Sequence, residues 1–136
     1  MRFFLDNTMS PHLARAVAAL EAGWEKNQVT HLKEKFDASG NTPDLVWIPT
    51  LGAEREWVIV SGDLRITRVA AERAAWREAR LTAFFLKSAW ADQQLMLFAS
   101  RFIQRWPAIV AQAKMAPRGK GFLVPWGSPR FEDVPP

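Results

Sequence analysis

Three aspartates in this chain stand where predicted secondary structure elements end or begin. Asp6 follows a short apolar run, Asp63 follows a hydrophobic run that ends in Ser61-Gly62, and Asp44 opens a predicted helix after Thr42-Pro43. Carboxylates within about 4 Å of one another repel by roughly 4 kcal/mol per pair at an effective dielectric constant of about 20, so such a cluster either takes up protons or holds a cation. Oxygen ligands suit Mg²⁺ and related hard divalent cations. The three positions therefore predict an acidic metal site.

Strands and helices alternate along the chain, and this order predicts where the aspartates lie. Apolar runs predict strands at 2–6, 28–32, 56–61, 82–88 and 119–126, and helical spacing with caps predicts helices at 11–22, 44–54, 66–81 and 90–115. Such alternation favours parallel strands joined by right-handed crossovers, with helices on both faces of the sheet. Ligands of these sheets bind beyond the carboxyl ends of the strands, which is where Asp6 and Asp63 are expected.

Composition limits the classes of protein to consider. The chain has 136 residues, 49% of them hydrophobic, which suits one domain with a substantial core. It has no cysteine, so disulfides and thiolate metal sites are excluded, and only two histidines. No apolar run reaches the eighteen or so residues of a membrane span, and we expect a cytoplasmic protein without membrane association. The net charge of +4 permits a polyanionic partner.

Three stretches of the sequence occur in the order and spacing of a known family. They are "FFLDNTMS", "HLARAVAALEAGWEKNQVTHL" and "PDLVWIPTLGAEREWVIVSGDLRI". In this arrangement the chain resembles a PIN-like domain, in particular the branch of VapC-type toxins and Mut7-C-like nuclease domains. The resemblance spans residues 2–90 and implies a single-domain, three-layer α/β/α fold with a mainly parallel, Rossmann-like sheet. We expect the domain to cover residues 1–126 and residues 127–136 to form a loose tail.

The resemblance also implies an activity and a set of residues. The expected activity is that of a Mg²⁺- or Mn²⁺-dependent endoribonuclease, the toxin of a type II toxin–antitoxin pair, with RNA as substrate and an antitoxin as protein partner. The family pattern gives the catalytic and metal-binding roles to Asp6, Asp44 and Asp63, and a supporting hydroxyl to Ser61. The family usually has a further acid, for which Glu34 and Asp37 are the candidates. The alternative is a PIN-like interaction module that has lost catalysis.

Other polar residues near the predicted site have competing interpretations. Asn7 is adjacent to Asp6 and would support it as a polar neighbour. Arg65 and Arg68 follow Asp63 directly and would contact RNA phosphates, although the interspersed acids of the same helix also fit a solvated, ion-paired face. His12 and His31 are weaker candidates for a general base, because isolated histidines are usually packed or exposed.

Aromatic residues are concentrated in the last predicted helical segment. Trp90, Phe98, Phe102 and Trp106 recur there at helical spacing. Most tryptophans at such spacings fill a core, but so many on one segment also favour a surface for an antitoxin or for homodimer formation.

Overall fold

The computed structural model describes residues 1–136 as a six-stranded sheet with helices on both faces. The strands are β1 (Arg2–Leu5), β2 (Gln28–His31), β3 (Trp57–Ser61), β4 (Thr82–Leu86), β5 (Gly121–Val124) and β6 (Glu132–Asp133). The helices are α1 (Pro11–Ala22), α2 (Leu32–Lys35), α3 (Asp44–Glu54), α4 (Ala70–Ala79) and α5 (Leu95–Met115), with 3-10 turns at Leu64–Thr67 and Ser88–Asp92. The predicted three-layer α/β/α fold is confirmed.

The sheet order is β2-β1-β3-β4-β5-β6, and every pair except β5–β6 is parallel. The strand order reverses direction at β1, since the chain moves outward to β2 and then returns to add β3 on the other side of β1. Ligands of parallel sheets bind at such a reversal, beyond the carboxyl ends of the strands. The loops that follow β1 and β3 therefore adjoin at the expected position.

Both faces of the sheet are apolar, because alternate residues of each central strand enter two different cores. In β1, Phe3 and Leu5 pack with α1 and α5, whereas Phe4 packs with α3 and α4. Burying a phenylalanine side chain of this kind contributes about 2–3 kcal/mol to folding. This pattern is typical of a parallel sheet covered on both sides.

Local signals account for the starts of the two helices nearest the acidic residues. The Ser10 hydroxyl accepts hydrogen bonds from the backbone N–H groups of His12 and Leu13, and Pro11 occupies the first turn of α1. Helix α3 begins at Asp44 directly after Pro43. It continues through Pro49, although a proline inside a helix usually bends or interrupts it.

The helix predicted at 66–81 is two elements in the structure. A 3-10 turn covers Leu64–Thr67, and α4 starts afresh at Ala70. Helices α3 and α4 then pack closely, since a Cβ on Gly52 would lie 2.7 Å from the Ala79 Cβ. Their first turns both lie at the carboxyl edge of the sheet.

Residues 132–135, within the segment expected to be a loose tail, pack against the domain. Strand β6 pairs antiparallel with β5, and Val134 is buried in the core beneath α4. The Pro135 carbonyl accepts hydrogen bonds from Arg73 and Arg77 of α4. These residues pack because Val134 supplies an apolar side chain and β5 would otherwise present an open edge. No helix is both long enough and apolar enough to cross a membrane.

Candidate metal centre

A polar cleft of about 380 Å³ opens at the carboxyl edge, beside the loops that follow β1 and β3. Only one of its twelve lining residues is hydrophobic. We call it the acidic cleft, after the four acids among its lining residues, Asp6, Asp44, Asp63 and Glu72. All three aspartates predicted from the sequence therefore line one cleft, together with Glu72, which the sequence did not predict to be part of the site.

Asp6 forms the buried floor of the cleft, with 2% of its surface exposed. Its Oδ1 accepts hydrogen bonds from the Thr8 backbone N–H at 3.1 Å and from the Thr8 hydroxyl, and its Oδ2 accepts one from the Ser61 hydroxyl. Burial nevertheless outweighs these bonds and raises the pKa of Asp6 to about 6. The Asp6 carboxylate is thus held in one orientation by hydroxyl groups.

Ser61 connects Asp6 to Asp63 across neighbouring strands. Its hydroxyl donates to Asp6 and accepts from the backbone N–H of Asp63 at 2.9 Å. The link follows from the register of β1 and β3, in which Leu5 is paired with Val60 and the next residues are Asp6 and Ser61. The small hydroxyl two residues before Asp63 therefore has a positional role, in agreement with the Ser-x-Asp pattern in the sequence.

Asp44, Asp63 and Glu72 bring their carboxylates together at the mouth of the cleft. One oxygen of each lies within 4.8 Å of the others. Asp44 and Glu72 belong to the first turns of α3 and α4, where the helix macrodipoles favour negative charge. Burial, with the charges of Asp63 and Glu72, raises the pKa of Asp44 against the opposing hydrogen bond from the Trp47 indole N–H at 2.9 Å. Asp6 lines the same cleft but is outside this three-carboxylate group.

Arg65 neutralises part of this charge. Its Nε donates to Asp63 Oδ1 at 2.9 Å and its Nη2 to Oδ2 at 2.8 Å. These hydrogen bonds hold the pKa of Asp63 below its usual range. Arg65 thus lines the acidic cleft and forms its salt bridge there with Asp63.

The remaining candidates from the sequence lie elsewhere. Glu34 is exposed on α2, and Asp37 is exposed with its carboxylate accepting from the Ser39 backbone and hydroxyl, so neither lines the acidic cleft. Arg68 lines a neighbouring groove with Arg73 and Lys87. The Asn7 side chain does line the cleft and lies against Gly40.

The two histidines have structural surroundings. His31 is fully buried, with Nε2 bonded to the Met9 carbonyl at 2.8 Å and Nδ1 accepting from the Lys33 backbone N–H. It therefore fixes the loop that carries Asp6. His12 is exposed on α1 beside Arg15, and it does not line the acidic cleft.

Comparison with known proteins identifies the family. A family model described as "PIN like domain" matches residues 1–88. The chain belongs to the PIN-like domain family. The search of curated proteins and the search of solved structures each found no match. The matched part of this PIN-like domain runs from β1 through β4 and contains all four acids of the acidic cleft.

The donors of this PIN-like domain fit a hard divalent cation. Every ligand atom in the three-carboxylate group is an oxygen, and Mg²⁺ prefers a few carboxylates together with water. In addition, Glu72 Oε2 is buried and has no hydrogen-bond partner. A buried carboxylate oxygen without a partner is costly, and a cation bound by Asp44, Asp63 and Glu72 would satisfy it.

The raised pKa of Asp6 predicts a pH-dependent stability without metal. The pKa of Asp6 rises from 3.8 to about 6 on folding, so the folded state binds the Asp6 proton more tightly than the unfolded state does. The stabilisation of the fold by this proton is fully present below about pH 3.8 and is lost as the pH rises through about 6. We expect the free energy of unfolding of the wild type, relative to an Asp6→Asn variant, to fall by about 3 kcal/mol between about pH 3.5 and about pH 7.5. Denaturant unfolding at several pH values with a chelator measures this difference. Asp92→Asn, at an exposed aspartate, is the control and should follow the wild type; a parallel course of Asp6→Asn and wild type would contradict the assignment.

Proposed function

We propose that the protein is a metal-dependent endoribonuclease that hydrolyses RNA phosphodiesters at the acidic cleft. The observation that carries the proposal is the group of three carboxylates within 4.8 Å, one of which has a buried oxygen without a partner, in a chain of the PIN-like family. A pure interaction module has no need of three close acids, since their repulsion destabilises the fold. The residues proposed to hold Mg²⁺ or Mn²⁺ are Asp44, Asp63 and Glu72.

Each group in the cleft has a defined role in this proposal. A bound divalent cation would supply charge for the developing phosphorane oxygens and acidify the attacking water. Asp44, Asp63 and Glu72 would hold the cation through their carboxylate oxygens. Asp6 is linked through the Ser61 hydroxyl to the backbone N–H of Asp63 and so helps to position that ligand. Its pKa, raised to about 6, suits it to accept a proton from a nearby water.

RNA would approach along the basic groove beside the cleft. Arg68, Arg73 and Lys87 line this groove, which lies next to Leu64 and Thr67. Phosphate contacts of this kind give affinity with little sequence preference. Arg73 already donates to the carbonyls of Thr67 and Pro135, so Arg68 is the more available of the two arginines.

We further propose that the protein is a toxin of the VapC or Mut7-C-like branch that works in the cytoplasm with an antitoxin. Exposed apolar side chains at the start of α5 support a protein partner there, since Leu95, Met96 and Leu97 are at least half exposed. Of the aromatic residues that predicted a partner surface, Trp90, Phe102 and Trp106 are buried in the core and Phe98 is partly buried. Light scattering of the purified protein with and without a co-expressed partner distinguishes an antitoxin complex from a homodimer.

Cleavage of a defined RNA tests the enzymatic proposal. We expect an unstructured RNA oligonucleotide to be cut in the presence of Mn²⁺ or Mg²⁺ and to remain intact with EDTA. Direct attack by water with the 3′ oxygen as the leaving group would give 3′-hydroxyl and 5′-phosphate ends. A DNA of the same sequence is the comparison substrate. Cleavage that persists in EDTA, or ends carrying a 2′,3′-cyclic phosphate, would contradict hydrolysis at a metal centre. Saturable binding of a partner without any Mn²⁺ binding would favour the interaction-module alternative.

A further inference from the structure

Arg65, which lines the acidic cleft, donates hydrogen bonds to both carboxylate oxygens of Asp63. Its backbone N–H and Nε donate to Oδ1 at 3.0 and 2.9 Å, and Nη2 donates to Oδ2 at 2.8 Å. The Arg65 side chain is 72% exposed, whereas the Asp63 side chain is 9% exposed. The guanidinium therefore covers a nearly buried carboxylate while remaining in contact with solvent.

This arrangement conflicts with cation binding at the same group. A cation shared by Asp44, Asp63 and Glu72 needs a lone pair of Asp63, and a guanidinium engaged with both Asp63 oxygens competes for it. Arg65 is also the only basic residue in a salt bridge with any of these acids. In the structure it acts as the counter-ion of the cleft.

The Arg65 side chain is free to leave. Its guanidinium makes no hydrogen bond other than those to Asp63, and because 72% of the side chain is already exposed, rotation into solvent removes few packing contacts. A guanidinium pairs with phosphate through the same two-pronged geometry that it uses with a carboxylate. Because Arg65 is two residues from Asp63, a side chain released from Asp63 remains next to any phosphate bound at the cleft.

We propose that Arg65 is an exchangeable counter-ion: it neutralises Asp63 when no metal is bound, is displaced from Asp63 by the divalent cation, and then binds a phosphate of the RNA. This inference rests on the proposed function and adds a metal-dependent role to the phosphate contact expected for Arg65. Its consequence is that one side chain should oppose metal binding and assist substrate binding.

Calorimetric titration of Mn²⁺ into variants of Arg65 and Arg68 tests whether Arg65 opposes metal binding. We expect Arg65→Gln to bind Mn²⁺ roughly fivefold to tenfold more tightly than the wild type, since the bidentate competitor is removed. Arg65→Lys keeps the positive charge but loses the bidentate geometry of the guanidinium. Its affinity for Mn²⁺ should lie between those of the wild type and Arg65→Gln. Arg68→Gln is the control for Mn²⁺ affinity, because Arg68 is exposed, makes no salt bridge and lies three residues away.

Arginine Nε–H resonances give a readout that does not depend on activity. On addition of diamagnetic Mg²⁺ we expect the Arg65 resonance, assigned from its loss in Arg65→Gln, to shift as the bond to Asp63 breaks. The resonance of Arg105, whose side chain donates to the carbonyls of Pro125 and Trp126, should stay in place. With saturating Mn²⁺, Arg65→Gln should then cleave RNA with kcat/KM lowered roughly tenfold, mostly through KM.

The outcomes separate this inference from the proposed function. If the wild type and Arg65→Gln bound Mn²⁺ with the same affinity, the counter-ion role would be overturned and the metal centre would stand. The same would follow if Arg68→Gln bound Mn²⁺ as tightly as Arg65→Gln. A failure of both wild type and Arg65→Gln to bind Mn²⁺ would overturn both proposals. Binding by Arg65→Gln alone would support the inference, since the competitor would then fully block the wild-type site.

Discussion

Replacing Asp63 by Asn is expected to lower RNA cleavage by at least about a hundredfold and to remove saturable Mn²⁺ binding. Asp63 is the member of the acidic cleft that is both nearly buried and a neighbour of Asp44 and Glu72, with an oxygen of each within 4.8 Å. Asparagine keeps the shape of the side chain but lacks the charge that holds a divalent cation. It also leaves Arg65 without its carboxylate partner, so the local positive charge rises and further opposes cation binding.

Asp92→Asn provides the matched comparison for this substitution. Asp92 is exposed at the end of the 3-10 turn that follows β4 and does not line the acidic cleft. Titration of Mn²⁺ and initial rates of RNA cleavage should be unchanged in Asp92→Asn. Undiminished cleavage by folded Asp63→Asn, with folding checked by circular dichroism, would place the hydrolytic site elsewhere on the molecule.

Replacing Glu72 by Gln is expected to have opposite effects on function and stability. Glu72 contributes one oxygen to the three-carboxylate group, and its buried Oε2 has no hydrogen-bond partner. The amide removes one negative charge from the group and can donate to Asp44 or Asp63, so we expect the free energy of unfolding without metal to rise by about 1 kcal/mol. The same loss of charge should weaken Mn²⁺ binding at least about thirtyfold and reduce cleavage accordingly.

Glu78→Gln in the last turns of α4 is the control for Glu72→Gln. Glu78 is exposed and outside the acidic cleft, so its substitution should change neither Mn²⁺ affinity nor stability appreciably. Thermal unfolding with EDTA and with saturating Mn²⁺ separates the two effects, because metal stabilises only variants that bind it. Loss of stability in Glu72→Gln together with normal Mn²⁺ affinity would show that the glutamate is structural.

Glu72 illustrates what could not be predicted from the sequence. The spacing of apolar residues predicted one helix over 66–81, in which Glu72 stands in the middle of a charged face. In the structure Arg68 and Val69 are not helical, and α4 begins only at Ala70. Glu72 therefore lies in the first turn of α4, close to Asp44. The sequence does show an acid nine residues after Asp63. Whether that acid reaches the cleft depends on where α4 starts, and tertiary packing decided that start.

The aromatic residues of α5 show a related limit. Their helical spacing predicted the helix, which runs from Leu95 to Met115 through Pro107. The same spacing did not predict which face of α5 is buried against the sheet. Phe102 and Trp106 pack against the sheet and α1 because the opposite face of the sheet is already covered by α3 and α4. The exposed large apolar residues of α5 are instead at its two ends, Leu95, Met96 and Leu97 in the first turn and Met115 at the last position.

The sequence by itself determined the first five strands, the alternation of strands with helices and the three aspartates that line the acidic cleft. These features depend on local chemistry: Ser10 and Pro11 start a helix wherever they occur before an amphipathic run, and strands alternating with helices pair in parallel. Only the tertiary structure decided that Glu72 is the fourth acid, that Arg65 covers Asp63, and that residues 132–134 complete the sheet. Those outcomes depend on contacts between residues distant in the chain and on exact helix starts, which local propensities leave open.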